Sequence, residues 1–249
     1  MAQKELQVPT PDGEMTMFVA HPEGGPWPIA ILFMDGVGYR EQIKANARRF
    51  AEAGYFVVAP DLFHRAGKGV NFDFSKAGDP AYAARMREVI GAVTPAQLDV
   101  DTQAALDAVA GDPAAAGGPK VCVGYCLGAR ASLHAAAARD DIVAAAGIHP
   151  GPLVTEAADS PHLELPNVRG EVYVAFSEND RANTAEQQEL LSAELQRRGV
   201  RGSVERLEGT THGFAMADLP VYHQEASERH FERTLDLWRR SLEGVGAAS

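Results

Sequence analysis

The sequence predicts an α/β fold: a mostly parallel central sheet of about seven or eight strands, with helices on both faces. Three observations carry this. Short, nearly continuous apolar runs at 29–34 (IAILFM), 55–59 (YFVVA) and 172–176 (VYVAF) have the composition of strands buried on both faces. Longer stretches with apolar residues at helical spacing lie between them, so strand and helix alternate along the chain. No internal repeat or low-complexity block breaks that alternation, and 249 residues suit a single domain over 1–249.

Taken in order, residues 4–8 and 14–20 form a hairpin about the turn Pro11-Asp12-Gly13. The strand at 29–34 is followed by a helix over 42–53, whose apolar stripe is Ile43, Ala47, Phe50 and Ala51 and whose end is set by Gly54. After the strand at 55–59 comes an irregular stretch, 67–78. A helix over 95–110 then starts with Thr94 as N-cap and proline at its first position. Strands follow at 121–123, 144–148 and 172–176, separated by loops at 112–119 and 150–170. A helix over 184–198 stops at Gly199. The run 203–207 (SVERL) is polar and alternating, which suits a strand near the sheet edge. The last helix spans about 220–242, with the tail from about 244 frayed.

The formal charge is −11, from 23 basic and 34 acidic residues, which disfavours nucleic acid or an anionic membrane as a partner. The polar N-terminal segment lacks the apolar core of a secretory signal, and no stretch has transmembrane length; the expected location is cytoplasmic. Two cysteines are too few for a disulfide framework or a cysteine-based zinc site. Gly67-Lys68 resembles the end of a phosphate loop, but Leu62 and Gly69 stand where glycine and Ser or Thr belong. No metal or cofactor is expected.

In an open α/β sheet, ligands bind beyond the carboxyl ends of strands, so the loops there are the places to look for chemistry. Residues 121–130 (VCVGYCLGAR) read as strand, Gly-x-Cys-x-Gly, helix. Small residues on both sides of Cys126 permit a tight turn that strains and exposes it at a helix N-terminus, where N–H groups favour a thiolate. The N–H of Leu127 can face a developing oxyanion. Cys122, inside the strand, reads as inert core.

A nucleophile needs a base, and the base a carboxylate to orient it, in the chain order nucleophile, acid, base on such a sheet. Asp180 follows the strand at 172–176 and precedes the next helix, with Glu178 as the nearest alternative. His212 lies after the last strand, beside Gly213-Phe214. Among the other histidines, His149 ends a strand and is placed to line a pocket. His134 lies on the helix after Cys126, facing away; His223 and His230 read as solvated positions on the last helix. His21, His64 and His162 are loop residues with no partner in view. Asp61 reads as a residue that organises its own loop.

These residues resemble the dienelactone hydrolase (carboxymethylenebutenolidase) family of the α/β-hydrolases. The resemblance covers roughly 14–240 and rests on 123–128 (VGYCLG), 60–63 (PDLF), the Asp180 loop and 212–215 (HGFA). It implies a Cys126-Asp180-His212 triad that hydrolyses small esters or lactones through an acyl-thioester, without a cofactor, in a monomer or homodimer. It also implies that Asp35 activates Cys126, in a place where the family's namesake has glutamate, and that the N–H of Gly36 is a second oxyanion donor. Met216 stands where that enzyme has an arginine that grips a substrate carboxylate. A methionine supplies apolar contact and no charge, so a different substrate is expected. Arg85 and Arg87 are candidate replacement cations, and Tyr39, Phe72, Phe74, Phe214 and Met216 candidate pocket residues. Two other readings remain open: a thiol redox sensor, and a non-catalytic relative that binds a ligand.

Overall fold

The computed structural model describes residues 1–246 apart from 77, 159 and 182, and for 245 and 246 the backbone alone. The chain divides into two compact units, Met1–Gly117 and Gly118–Ser249.

In the first unit, β1 (Ala2–Thr10) and β2 (Gly13–His21) form an antiparallel hairpin in which Thr10 faces Gly13. The strands outrun the apolar residues that predict them because backbone pairing continues to the turn, where Gly13 takes φ 131°. Next come β3 (Ile29–Phe33), α1 (Glu41–Glu52) and β4 (Phe56–Pro60). The order in this unit is β1-β2-β4-β3, with β2 antiparallel and β3 parallel to β4. A helix absent from the expected scheme, α2 (Pro80–Gly91), follows the irregular stretch. It buries only Ala83 and Val89, so it has little apolar stripe to announce it. Its signal is the start: the Asp79 carboxylate accepts the N–H groups of Ala81 and Tyr82, and proline follows at the first helical position. The next helix, α3 (Pro95–Asp107), has the expected Thr94 cap, completed by a reciprocal bond to Gln97, and ends three residues earlier than expected.

The second unit carries β5 (Lys120–Tyr125), α4 (Leu127–Ala138), β6 (Ile142–Ile148) and β7 (Glu171–Asn179). It continues with α5 (Ala185–Arg198), β8 (Gly202–Thr211) and α6 (Gln224–Gly246). Its strands run parallel in the order β5-β6-β7-β8, which places β8 at the edge as its polar pattern predicts. Eight strands are thus described, four in each unit. A single 3₁₀ stretch, Pro161–Asn167, lies within the long loop.

Two expectations about the last helix are corrected. It starts at Gln224 and runs to Gly246, so Gly244 lies within a helical backbone; residues 247–249 of the expected tail lie outside the described residues. His230 is fully buried, not solvated, with its ring against Tyr125 and Phe231. The cause is a continuous helical stripe of Ser227, His230, Phe231, Thr234, Leu237, Trp238 and Ser241, all buried. Trp238 donates its indole N–H to the Cys122 carbonyl at 3.2 Å, tying α6 to β5. No described helix is long and apolar enough to cross a membrane.

Candidate active site

The turn between β5 and α4 is as tight as its glycines allow. Cys126 takes φ 52° and ψ −109°, a left-handed conformation that a side chain adopts only at a cost of about 1–3 kcal/mol. Glycine is required at 124: a Cβ there would meet the Gly128 carbonyl oxygen at 1.7 Å. The elbow is held from below by the Cys126 N–H, which donates to the Ile148 carbonyl at 3.0 Å. Cys126 is half-buried at the N-terminus of α4, and Leu127 is the first helical residue. Cys122 is wholly enclosed, and burial pushes its thiol far up, away from the reactive thiolate.

Asp180 immediately follows β7, whose last residues are Ser177–Asn179. The Asp180 side chain is 1 % exposed and accepts two hydrogen bonds on Oδ2, from His212 Nδ1 at 2.9 Å and Ser177 Oγ at 3.1 Å. Glu178, the alternative acid, is occupied elsewhere: its carboxylate accepts the Gly209 N–H at 2.8 Å. His212 follows β8 and keeps a third of its side chain exposed. Burial disfavours its charge, but hydrogen bonds to Asp180 and Cys126 and the charges of both outweigh that, holding the imidazolium up to about 10. One ring nitrogen thus faces a buried carboxylate, and Cys126 adds to what favours the charged ring. Asp180 and His212 are hydrogen-bonded to each other, and Cys126 is among the groups that favour the His212 cation.

His149, expected to line a pocket, is instead buried, and its segment makes bonds that the sequence does not announce. His149-Pro150-Gly151 follows β6: His149 N–H donates to Ala175, the Pro150 carbonyl accepts from Asn183 Nδ2 at 2.6 Å, and Gly151 N–H donates to the Cys126 carbonyl. His149 is buried, with its ring 5.2 Å from that of His212 and 5.3 Å from that of Phe214. Phe214 and Met216, expected to line a pocket, are fully buried, and Phe214 packs between His149 and His230.

The remaining predicted residues belong to the first unit. Asp35, just beyond β3, is buried and grips Arg40 through both carboxylate oxygens, at 2.6 and 3.0 Å, while accepting the Val37 N–H. A Cβ at Gly36 would press on Ile90 Cδ1 at 2.9 Å. Tyr39 is buried with Lys44 over its ring, and burial followed by Glu5 raises its phenol. Phe72 packs edge-on against Phe63 and Tyr82, whereas Phe74 is exposed. Arg85 and Arg87 face solvent, and Arg85 pairs with Glu88 one turn along α2. Three histidines expected without a partner have one: His64 bonds Asp101, His162 bonds Ser160 and His21 bonds the Pro22 carbonyl. His134, expected to face away, bonds Glu164. Asp61 organises its loop as expected, accepting the Phe63 N–H, and burial pushes its carboxyl up to about 6.

Solved structures share this fold. The crystal structure named "Putative Dienelactone Hydrolase" from Klebsiella pneumoniae superposes with a TM-score of 0.84, covering 96 % of this chain and 98 % of that one at 20 % identity. The chain is an α/β-hydrolase in its fold. The model of the dienelactone hydrolase family matches residues 15–242, and the chain belongs to that family. Curated relatives named "Putative carboxymethylenebutenolidase" include one from Methylorubrum extorquens, 34 % identical over 127 residues. That match spans 51 % of this chain and 41 % of the relative. Another, from Yersinia pestis, is 24 % identical over 98 % of this chain and 89 % of its own length.

Proposed function

We propose that this protein hydrolyses a small ester or lactone with Cys126 as nucleophile, His212 as base and Asp180 as the carboxylate that orients it. The observation that carries the reading is the bond from the buried Asp180 to His212, together with a strained cysteine at a helix N-terminus that favours the charged form of that ring. Family membership supports the ester or lactone class, and the names of the curated relatives agree with it. The reading rests on residues of the second unit alone.

The chemistry follows from the charges. The Cys126 thiol gives its proton to His212, and its sulfur attacks the substrate carbonyl carbon and forms a C–S bond, while the oxyanion is held by the Leu127 N–H at the start of α4. The tetrahedral adduct collapses, the C–O bond breaks, and the leaving oxygen takes its proton from the His212 imidazolium. Acylation removes the sulfur's charge, which is one of the interactions holding His212 protonated. The freed imidazole then takes a proton from water, whose oxygen attacks the thioester; the acid leaves and the sulfur recovers its place beside His212. A cytoplasmic location and a monomer or homodimer complete the reading.

The substrate is a neutral or weakly polar ester or lactone. Phe214 and Met216, which follow His212, are uncharged and buried, so neither supplies a cation for a substrate carboxylate, and Arg85 and Arg87 point to solvent. The test is hydrolysis of p-nitrophenyl acetate by Cys126→Ala, with folding checked by circular dichroism. A loss of about 10⁴–10⁶ in turnover is expected, as for triad removals elsewhere. Activity within tenfold of the parent would overturn the assignment.

A further inference from the structure

Only two non-glycine residues among those described have a left-handed backbone: Cys126 at φ 52° and His149 at φ 36°. Such conformations persist where surrounding contacts over-determine them, and they gather at functional sites. The first is the proposed nucleophile. The second has no place in the reaction as written above.

The surroundings of His149 suggest its task. Its backbone neighbours reach two of the three catalytic loops: Gly151 donates to the Cys126 carbonyl, and Pro150 accepts from Asn183 three residues beyond Asp180. Its ring reaches the third, meeting the His212 ring at 5.2 Å and an interplanar angle of 63°. The opposite constraint comes from packing. His149 is 1 % exposed and its ring also contacts Phe214 at 5.3 Å and Tyr125 at 5.8 Å, so it has no room to turn away. Phe214 lies two residues after His212 and Tyr125 immediately precedes Cys126. An edge-to-face contact fixes the tilt of one ring against another, which a hydrogen bond at a single nitrogen does not.

We infer that His149 is a positioning residue: its ring, driven against His212 by the left-handed turn at 149, sets the tilt of the His212 imidazole about the Asp180 hydrogen bond. Asp180 fixes one nitrogen of His212, and His149 supplies the second restraint that keeps the other aimed at sulfur and water. The inference rests on the proposed triad. It assigns to the His149 ring a role in shape, which a flat apolar ring of similar size can fill.

The experiment compares His149→Phe and His149→Asn with the parent and with Cys126→Ala, all on p-nitrophenyl acetate. Asparagine tolerates a left-handed backbone but removes the ring; phenylalanine keeps a ring and removes both nitrogens. His149→Asn is expected to lower kcat about 10- to 100-fold with KM within about threefold, and His149→Phe to recover kcat to within about fivefold. Comparable melting temperatures exclude unfolding as the cause. An unchanged kcat in His149→Asn, or a phenylalanine variant as slow as the asparagine one, would overturn the inference while Cys126→Ala stays inactive. Should Cys126→Ala retain activity, the triad reading itself falls.

Discussion

At the scale of single residues, His212 is the group whose chemistry is most open to measurement. Its folded-state value of about 10 stands above the ordinary 6.5, because Asp180 and Cys126 favour the charged ring more than burial opposes it. A group raised in this way contributes stability that is fully present below about pH 6.5 and is lost as pH rises through about 10. Two outcomes follow. The imidazole signal of His212, followed by nitrogen-15 NMR, should stay that of the cation through pH 8, and a midpoint near 6.5 would contradict the geometry. The melting-temperature gap between the parent and His212→Asn should be wider at pH 6 than at pH 10.5. Cys126 and Asp180 are legible in the sequence because each sits just beyond a strand whose apolar run announces it, and His212 because it stands beside Gly213 after a polar, alternating strand. The bonds that tune them are less legible. Ser177 and Asn183 are ordinary polar residues until the fold brings Asp180 and the Pro150 carbonyl within reach.

At the scale of elements, the elbow between β5 and α4 is the part the whole site depends on. Gly124 is there because the helix backbone comes within van der Waals distance of the strand: a Cβ would lie 1.7 Å from the Gly128 oxygen, with backbone rather than a movable side chain in the way. Gly124→Ala must therefore push β5 and α4 apart or twist the turn. A destabilisation of about 1–3 kcal/mol is expected, as for other forced overpacking, with ester hydrolysis reduced by at least the share expected of a displaced nucleophile. Urea unfolding and turnover read the two effects, and wild-type values for both would show that the turn is looser than its geometry. Helix α6 shows where sequence patterning fails. Its buried stripe has the right period, but Ser227, His230, Thr234 and Ser241 occupy stripe positions that patterning reserves for apolar side chains. Helix α2 fails in the opposite sense: its cap is clear, yet its stripe is nearly absent, because only Ala83 and Val89 are buried. Caps are local chemistry and can be read directly; burial is settled by what packs on top.

At the scale of the whole molecule, the charge of −11 acts on every substrate before it reaches a binding site. An acidic protein repels an anion over roughly a Debye length, which is about 30 Å in 0.01 M salt and about 8 Å at 0.15 M. A neutral ester feels almost none of this. The two kinds of substrate are thus distinguished by salt alone, without any change to the protein. For an ester or lactone bearing a free carboxylate, kcat/KM should rise about two- to fivefold as salt increases from 0.01 to 0.15 M, since screening removes a barrier to encounter. For the neutral methyl ester of the same compound it should stay flat. The reverse result for the anion, a fall with added salt, would mean that a local cation attracts it despite the overall field. Absolute rates carry the second half of the argument: the proposed preference for a neutral substrate requires the neutral compound to be the better one even at 0.15 M salt, where the long-range field is largely screened and only local contacts remain.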